Sequence, residues 1–186
     1  MAPFCQTITV LAFRGDRSRT FATAFLTALD DEKHRCGPGP TPLECLLFTG
    51  HAGISMDGGR TVFGFSPNGG RVPAWQLMDR LKNGDAFPGV VRDDTAMFAA
   101  ARQQGLTVRS FEVIIPDPCF QDFKVRLDAE RKNSQYFYGF PNGNGDCNCS
   151  TWLERLGLPL LTGRMDEFIG LPGIVSNPSR RFGECI

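Results

Sequence analysis

The sequence predicts an α+β fold, with an antiparallel sheet packed against helices. Three observations lead there. Several runs are β-branched and alternate with period two, a Gly-bearing turn joins two of them, and the helical segments are segregated from the strands rather than strictly alternating with them. At 186 residues the chain reads as one domain, 1–186, long enough to bury about 70 % of the surface of its unfolded form.

Thr7-Ile8-Thr9-Val10-Leu11 alternates and is β-branched, which predicts a strand over 6–13. Phe21, Ala24, Phe25, Ala28 and Leu29 recur at helical spacing, so 20–33 reads as a helix capped by Ser18 or Thr20. The Gly- and Pro-rich run 36–42 is a loop. A second strand spans 46–56, Asp57-Gly58-Gly59 turns it, and 61–65 returns. Short helices are expected over 74–82 and 95–104, the latter capped by Asp93 or Asp94 and stopped by Gly105. A strand over 108–115 leads into Pro116-Asp117-Pro118, which opens a helix to about Lys132; proline near a helix start removes an N–H that would be unpaired anyway. The Gly/Asn run 142–146 is a loop, 150–156 is a helix stopped by Gly157 and Pro159, and the tail from Gly170 reads as irregular.

Twenty Lys and Arg balance twenty Asp and Glu, so no bulk attraction to nucleic acid or to an anionic membrane is indicated. No stretch approaches the roughly 18 apolar residues of an integral membrane helix. The N-terminus lacks a basic region followed by an apolar one and does not read as a cleavable signal. The expected location is cytoplasmic, or exported by a machine that reads no such signal. Seven cysteines are scattered, Cys147 and Cys149 forming the one close pair. That spacing, without a second Cys/His pair, does not make a zinc site. The simplest reading is free thiols in a reducing compartment, with no metal and no cofactor.

The chemistry concentrates where the Gly/Asn loop turns into the last helix, at Asn148-Cys149-Ser150-Thr151-Trp152. Backbone N–H groups and the positive end of a helix dipole favour a thiolate there. The Cys149 N–H is itself a candidate oxyanion donor. Cys147 lies two residues earlier and gains less from the dipole. Of the two histidines, His34 sits in a charged stretch, whereas His51 opens an apolar strand among small neighbours. His51 is therefore the candidate base for Cys149. A hairpin closing at Gly58-Gly59 places His51 opposite Ser66, with Asn68 slightly beyond, and either is a candidate to orient the imidazole. Tyr136, Asn148 and Trp152 are the candidates for substrate contact, although Trp152 shares nearly the helical face of Cys149 and also suits a place beneath it.

The segment Gly50-His51-Ala52-Gly53-Ile54-Ser55-Met56, a turn, and Val62-Phe63-Gly64-Phe65-Ser66-Pro67 form one motif. Tyr136, then Asn148-Cys149-Ser150-Thr151-Trp152, then Leu156-Gly157-Leu158-Pro159 form another. Together, over roughly 45–160, they resemble the circularly permuted papain-like group related to NlpC-type hydrolases, in which His precedes Cys. The resemblance implies a papain-like core and acyl transfer through a Cys149 thioester, with His51 as base and then acid. The resemblance implies a peptidase, an amidase or a glutamine deamidase, acting on an amide bond of a peptide, of peptidoglycan or of a protein, while related groups also move acyl chains. It also implies a possible role as a bacterial effector, such as one exported by a type VI machine, with a cognate immunity or delivery protein as partner. The return strand offers no His, Asp or Glu as a third catalytic member, and the pattern does not ask for Cys147. The alternative is a non-catalytic binding or inhibitor module on the same scaffold.

Overall fold

Alternation along the first strand sets the architecture. In a computed structural model that describes residues 4–14, 50–70, 72, 74–139, 144–158, 161–162 and 174–175, β1 spans Cys5–Arg14. Its Ile8 and Val10 enter one apolar cluster and its Leu11 and Phe13 another, on opposite faces. A strand that is apolar on both sides belongs inside a sheet covered on both faces.

Around it, β2 (Gly50–Ser55), β3 (Phe63–Pro67), β4 (Phe87–Asp93), β5 (Val108–Pro116) and β6 (Phe137–Tyr138) complete an open, antiparallel, six-stranded sheet. The strand order is β5-β1-β2-β3-β4-β6. Four helices lie among the described residues: α1 (Ala74–Lys82), α2 (Thr95–Gln103), α3 (Asp117–Lys132) and α4 (Cys149–Arg155). The larger cluster joins Ala52, Ile54, Phe63 and Phe65 of the sheet to Phe123 and Leu127 of α3 and to Trp152 and Leu153 of α4. The smaller one puts Met97, Phe98 and Ala101 of α2 on the other face. A separate ribbon pairs β7 (Leu161–Thr162) with β8 (Ile174–Val175).

The α+β class and the antiparallel sheet are as the sequence predicts. The hairpin register agrees too, with Gly53 opposite Gly64 and Ile54 opposite Phe63. Strand β4 is not anticipated, because Pro88-Gly89 is a breaker in most contexts; Pro88 sits at its start, where a missing N–H costs little, and Gly89 keeps its N–H bonded to the Tyr136 carbonyl. The predicted helix 20–33 and the loop 36–42 lie outside the described residues, as does the start of the strand predicted from 46. The tail from Gly170, read as irregular, is described only at β8. Cys119, Cys147 and Cys149 are free thiols, whereas Cys5 is disulfide-bonded, which corrects the expectation of free thiols at that position. Chain spacing does not reveal which Cα atoms come within the roughly 4.4–6.8 Å a disulfide needs. Among the described residues no helix is long and apolar enough to cross a membrane.

Candidate active site

The site begins with a fault in the sheet. Pairing between β2 and β3 stops at Gly53–Gly64, although β2 starts at Gly50 and β3 continues to Pro67. The parity of the ladder identifies the groups this leaves over. Asp94 N–H donates to the Val62 carbonyl and Asn68 N–H to that of Pro88, so even-numbered residues of β3 direct their backbone groups at β4 and odd-numbered ones at β2. Ile54 faces Phe63 across the ladder, and Ala52 would face Phe65 in the same way. That next rung is not made. The Ala52 N–H faces the Cys149 thiol of α4 instead and favours its ionised form.

The start of α4 is fixed by its sequence. Asn148 is the N-cap, and its Oδ1 accepts from Ser150 N–H at 2.9 Å and Thr151 N–H at 3.0 Å. Thr151 Oγ1 in turn accepts from the Asn148 N–H at 2.9 Å, closing a capping box. Cys149 is then the first helical residue, with its backbone N–H among the groups the helix itself leaves unpaired. The carboxamide oxygen of Asn148 is committed to the cap, and the side chain is buried. Trp152 is fully buried and stacked on Phe65, with ring centroids 5.5 Å apart. Both residues therefore support the start of the helix, Asn148 by capping it and Trp152 by packing beneath Cys149. Tyr136 is half-buried beside the main cluster, and its carbonyl accepts from Gly89 N–H.

His51 meets Cys149 with one side of its ring and a carboxylate with the other. Its Nε2 lies 2.9 Å from Asp94 Oδ2. Sequence reasoning saw Asp94 only as a helix cap. The residue does occupy the N-cap of α2, but its side chain makes no capping bond. Asp93 serves that end instead, accepting from Thr95 N–H and Oγ1 at 3.0 and 2.6 Å. Asp94 is thereby free to lean across β3 to the imidazole. It passes over Gly64, where a Cβ would lie 2.0 Å from Asp94 Oδ2 and 2.3 Å from His51 Nε2. Ser66 and Asn68 do not orient the ring, because Asp94 holds that nitrogen. Ser66 is a buried residue of β3 opposite Val90, and Asn68 joins the start of β4 through its N–H. The hairpin register alone is sound, but it stops short of them.

The electrostatics form one system. Burial by itself would push the His51 pKa down. The Cys149 thiolate and the Asp94 carboxylate outweigh it and raise the pKa from 6.5 to about 10. Burial would likewise push the Cys149 thiol up. The His51 charge first, then the nearby donor groups of His51, Ala52 and Ser150, bring its pKa below 9.0. Each group thus favours the charged form of the other. Their contact is electrostatic and loose, since Nδ1 has no hydrogen-bond partner within normal reach, sulfur included, as is common before substrate tightens a site. Ser150 Oγ lies 3.9 Å from Cys149 Sγ. Cys147 differs, because burial and then the Asp146 charge push its pKa up to about 12 and keep it a neutral thiol.

Tyr138, which like Tyr136 flanks the loop before Cys149 and is expected from the sequence as a candidate to line a cleft, is brought to the thiol. It sits on β6, bridged to Cys147, with its ring 5.5 Å from that of Phe65. Its hydroxyl lies against the Cys149 thiol and backbone N–H. Burial and the neighbouring thiolate raise its pKa well above that of an ordinary phenol, so it stays a proton donor. Cys149 and His51 are each 1 % exposed, so the site is closed over its reactive atoms. No group of three His, Cys, Asp or Glu side chains converges on a metal position among the described residues. The chain matches no protein-family model, no curated protein and no solved structure.

Proposed function

We propose that the protein is a cysteine hydrolase of amide bonds, acting through a Cys149 acyl-enzyme on a peptide, on peptidoglycan or on a protein side chain. One observation carries the reading. The Cys149 thiolate and the His51 imidazolium stabilise each other, and Asp94 holds the far nitrogen of the ring. The thiolate sulfur attacks the carbonyl carbon, and the oxyanion that forms takes hydrogen bonds from the Cys149 N–H and the Tyr138 hydroxyl. The C–N bond then breaks as His51 gives its proton to the leaving amine. Water, losing a proton to His51, attacks the thioester carbon and releases the acid and the thiolate.

The resemblance to the permuted papain-like group agrees with this assignment and with His preceding Cys. A disulfide at Cys5 suits export to an oxidising compartment better than residence in the cytosol. Such a setting fits an effector with an immunity or delivery partner. The rival reading, a non-catalytic binding or inhibitor module, draws on the burial of both reactive side chains.

The test is Cys149→Ala and His51→Ala, each checked for native folding by circular dichroism. Both abolish amide hydrolysis on a peptide and peptidoglycan-fragment panel, and a wild-type acyl adduct appears in intact-mass spectra at Cys149. Unchanged turnover in either variant defeats the dyad. Failure of wild-type Cys149 to alkylate selectively with iodoacetamide near neutral pH favours the non-catalytic module.

A further inference from the structure

Strand β6 is only two residues long and covers β4 only at its start, where Phe87 faces Tyr138 and Pro88 faces Phe137. Gly89 N–H then donates to the Tyr136 carbonyl at 2.9 Å. Odd-numbered residues of β4 therefore direct their backbone groups away from β3. Beyond Gly89, those of Val91 and Asp93 have no strand beside them among the described residues. An uncovered strand edge is a template for another chain.

A cavity of about 500 Å³ runs along this edge, between it and the C-terminal end of α3. Phe63 and Arg131 contribute to its lining, with the guanidinium 4.1 Å above the centroid of the phenyl ring. Two carboxylates share the cavity with three cations, Arg92, Arg131 and Lys132. Asp93 accepts from Thr95, and Asp128 lies 3.4 Å from Arg131. Two of these cations flank the edge, Lys132 on α3 and Arg92 on β4. Neither has an ion-pair partner among the described residues. They lie on opposite sides of the sheet, because Arg92 pairs with Gly64 and shares its face, whereas α3 covers the face of Phe63.

We propose that this edge is a docking site for an extended acidic peptide segment, which adds a strand to β4. Its backbone pairs with Val91 and Asp93. Successive side chains of an extended strand point to opposite faces, so two adjacent acidic residues reach Arg92 on one side and Lys132 on the other. Backbone pairing supplies the affinity and the two cations supply the choice of sequence. The site is separate from the reactive thiol, and the inference does not depend on the chain being an enzyme.

The experiment uses the full chain with Cys149→Ala, so that no probe is cleaved, and fluorescence anisotropy with short capped peptides. One alternates valine with a glutamate pair, a second replaces glutamate with lysine, and a third probe is a single-stranded oligothymidine. The glutamate peptide binds, with affinity that falls as salt rises. The lysine peptide does not. Arg92→Glu with Lys132→Glu weakens the glutamate peptide by on the order of tenfold or more and admits the lysine peptide. Val91→Pro removes an edge donor that β3 does not use and also weakens binding, while Val91→Ala retains it. Absent binding, binding indifferent to the charge reversal, or oligothymidine binding as tightly as the glutamate peptide overturns the proposal. So does self-association through this edge in sedimentation velocity.

Discussion

Substituting Gly64 by alanine tests the site at its least obvious point. The residue is neither polar nor reactive, yet the path of Asp94 to His51 runs over its Cα. A Cβ there lies 2.0 Å from Asp94 Oδ2 and 2.3 Å from His51 Nε2, whereas nonbonded contacts settle near roughly 3.5 Å. Each partner has to retreat by more than about 1 Å, and their 2.9 Å hydrogen bond does not survive the move. A hydrogen bond to a charged group contributes about 1.5–3 kcal/mol, and parting a buried ion pair costs about 3–5 kcal/mol. If about 3 kcal/mol of that support is withdrawn from the imidazolium, reactivity drops on the order of 100-fold.

The assay is the rate of Cys149 alkylation by iodoacetamide at pH 7, followed by intact mass, with thermal unfolding and circular dichroism on the same sample. Gly64→Ala keeps its sheet signature and alkylates about 10- to 100-fold more slowly. Gly58→Ala is the control. Its φ is +71° with nothing within 4 Å of the added methyl, so it costs about 1–2 kcal/mol of backbone strain and leaves alkylation unchanged. Wild-type alkylation in a folded Gly64→Ala protein refutes the assignment of Asp94 as the group that holds His51.

The stability difference between wild type and Cys149→Ala depends on pH in a defined way. His51, raised from 6.5 to about 10, contributes fully below 6.5 and loses its contribution as pH rises through about 10, whereas Cys149, lowered from 9.0, contributes fully above 9.0 and loses its share as pH falls through its folded value. The two slopes oppose each other wherever the pH lies above both 6.5 and the folded value of Cys149 and below 9.0. Above 9.0 only the His51 slope remains, and the difference falls by up to about 1.4 kcal/mol per pH unit; a difference that keeps rising as pH passes from 9.0 to about 10 in denaturant titrations contradicts the ion pair. Trp152→Phe costs under about 2 kcal/mol, because the lost indole N–H has no hydrogen-bond partner, whereas Trp152→Ala costs about 3–5 kcal/mol; equal losses in thermal unfolding refute the packing role. Asn148→Ala removes the cap of α4, lowering stability by about 1–2 kcal/mol and slowing alkylation of Cys149; slowed alkylation without a stability loss points to a direct role of the side chain instead. Cys147→Ser leaves the Cys149 alkylation rate within about twofold of wild type, and a larger fall makes Cys147 part of the reactive system.

Half of the site was legible because half of it is local. Cys149 at a helix start and His51 among small residues on a strand announce themselves through chemistry that depends on near neighbours in the chain. Asp94 does not. Its role requires β4 to lie next to β3, β3 to carry no side chain at position 64, and Asp93 to take over the capping bonds. The first of these was hidden by Pro88-Gly89, which mark a breaker in most contexts. The hairpin register placed Ser66 opposite His51 on the assumption that the ladder continues. The Cys149 thiol interrupts it, so the rung on which that assignment depended is missing. The place of Trp152 beneath Cys149 could be read from its spacing on the helix, whereas the double capping bond of Asn148 depends on loop geometry that spacing does not show.

The three groups of the site come from a strand, the end of the next strand but one and a helix start, with His51 and Asp94 separated by 43 positions and Cys149 farther along the chain. His51 and Asp94 meet only once β2, β3 and β4 have paired, and Cys149 joins them only when α4 packs on that sheet. Closing such long loops is entropically uphill until the intervening strands have paired. In refolding, then, a reactive Cys149 emerges last, after helical and sheet signals have returned, and its alkylation rate reports how much of the population has completed the final step rather than how much has collapsed.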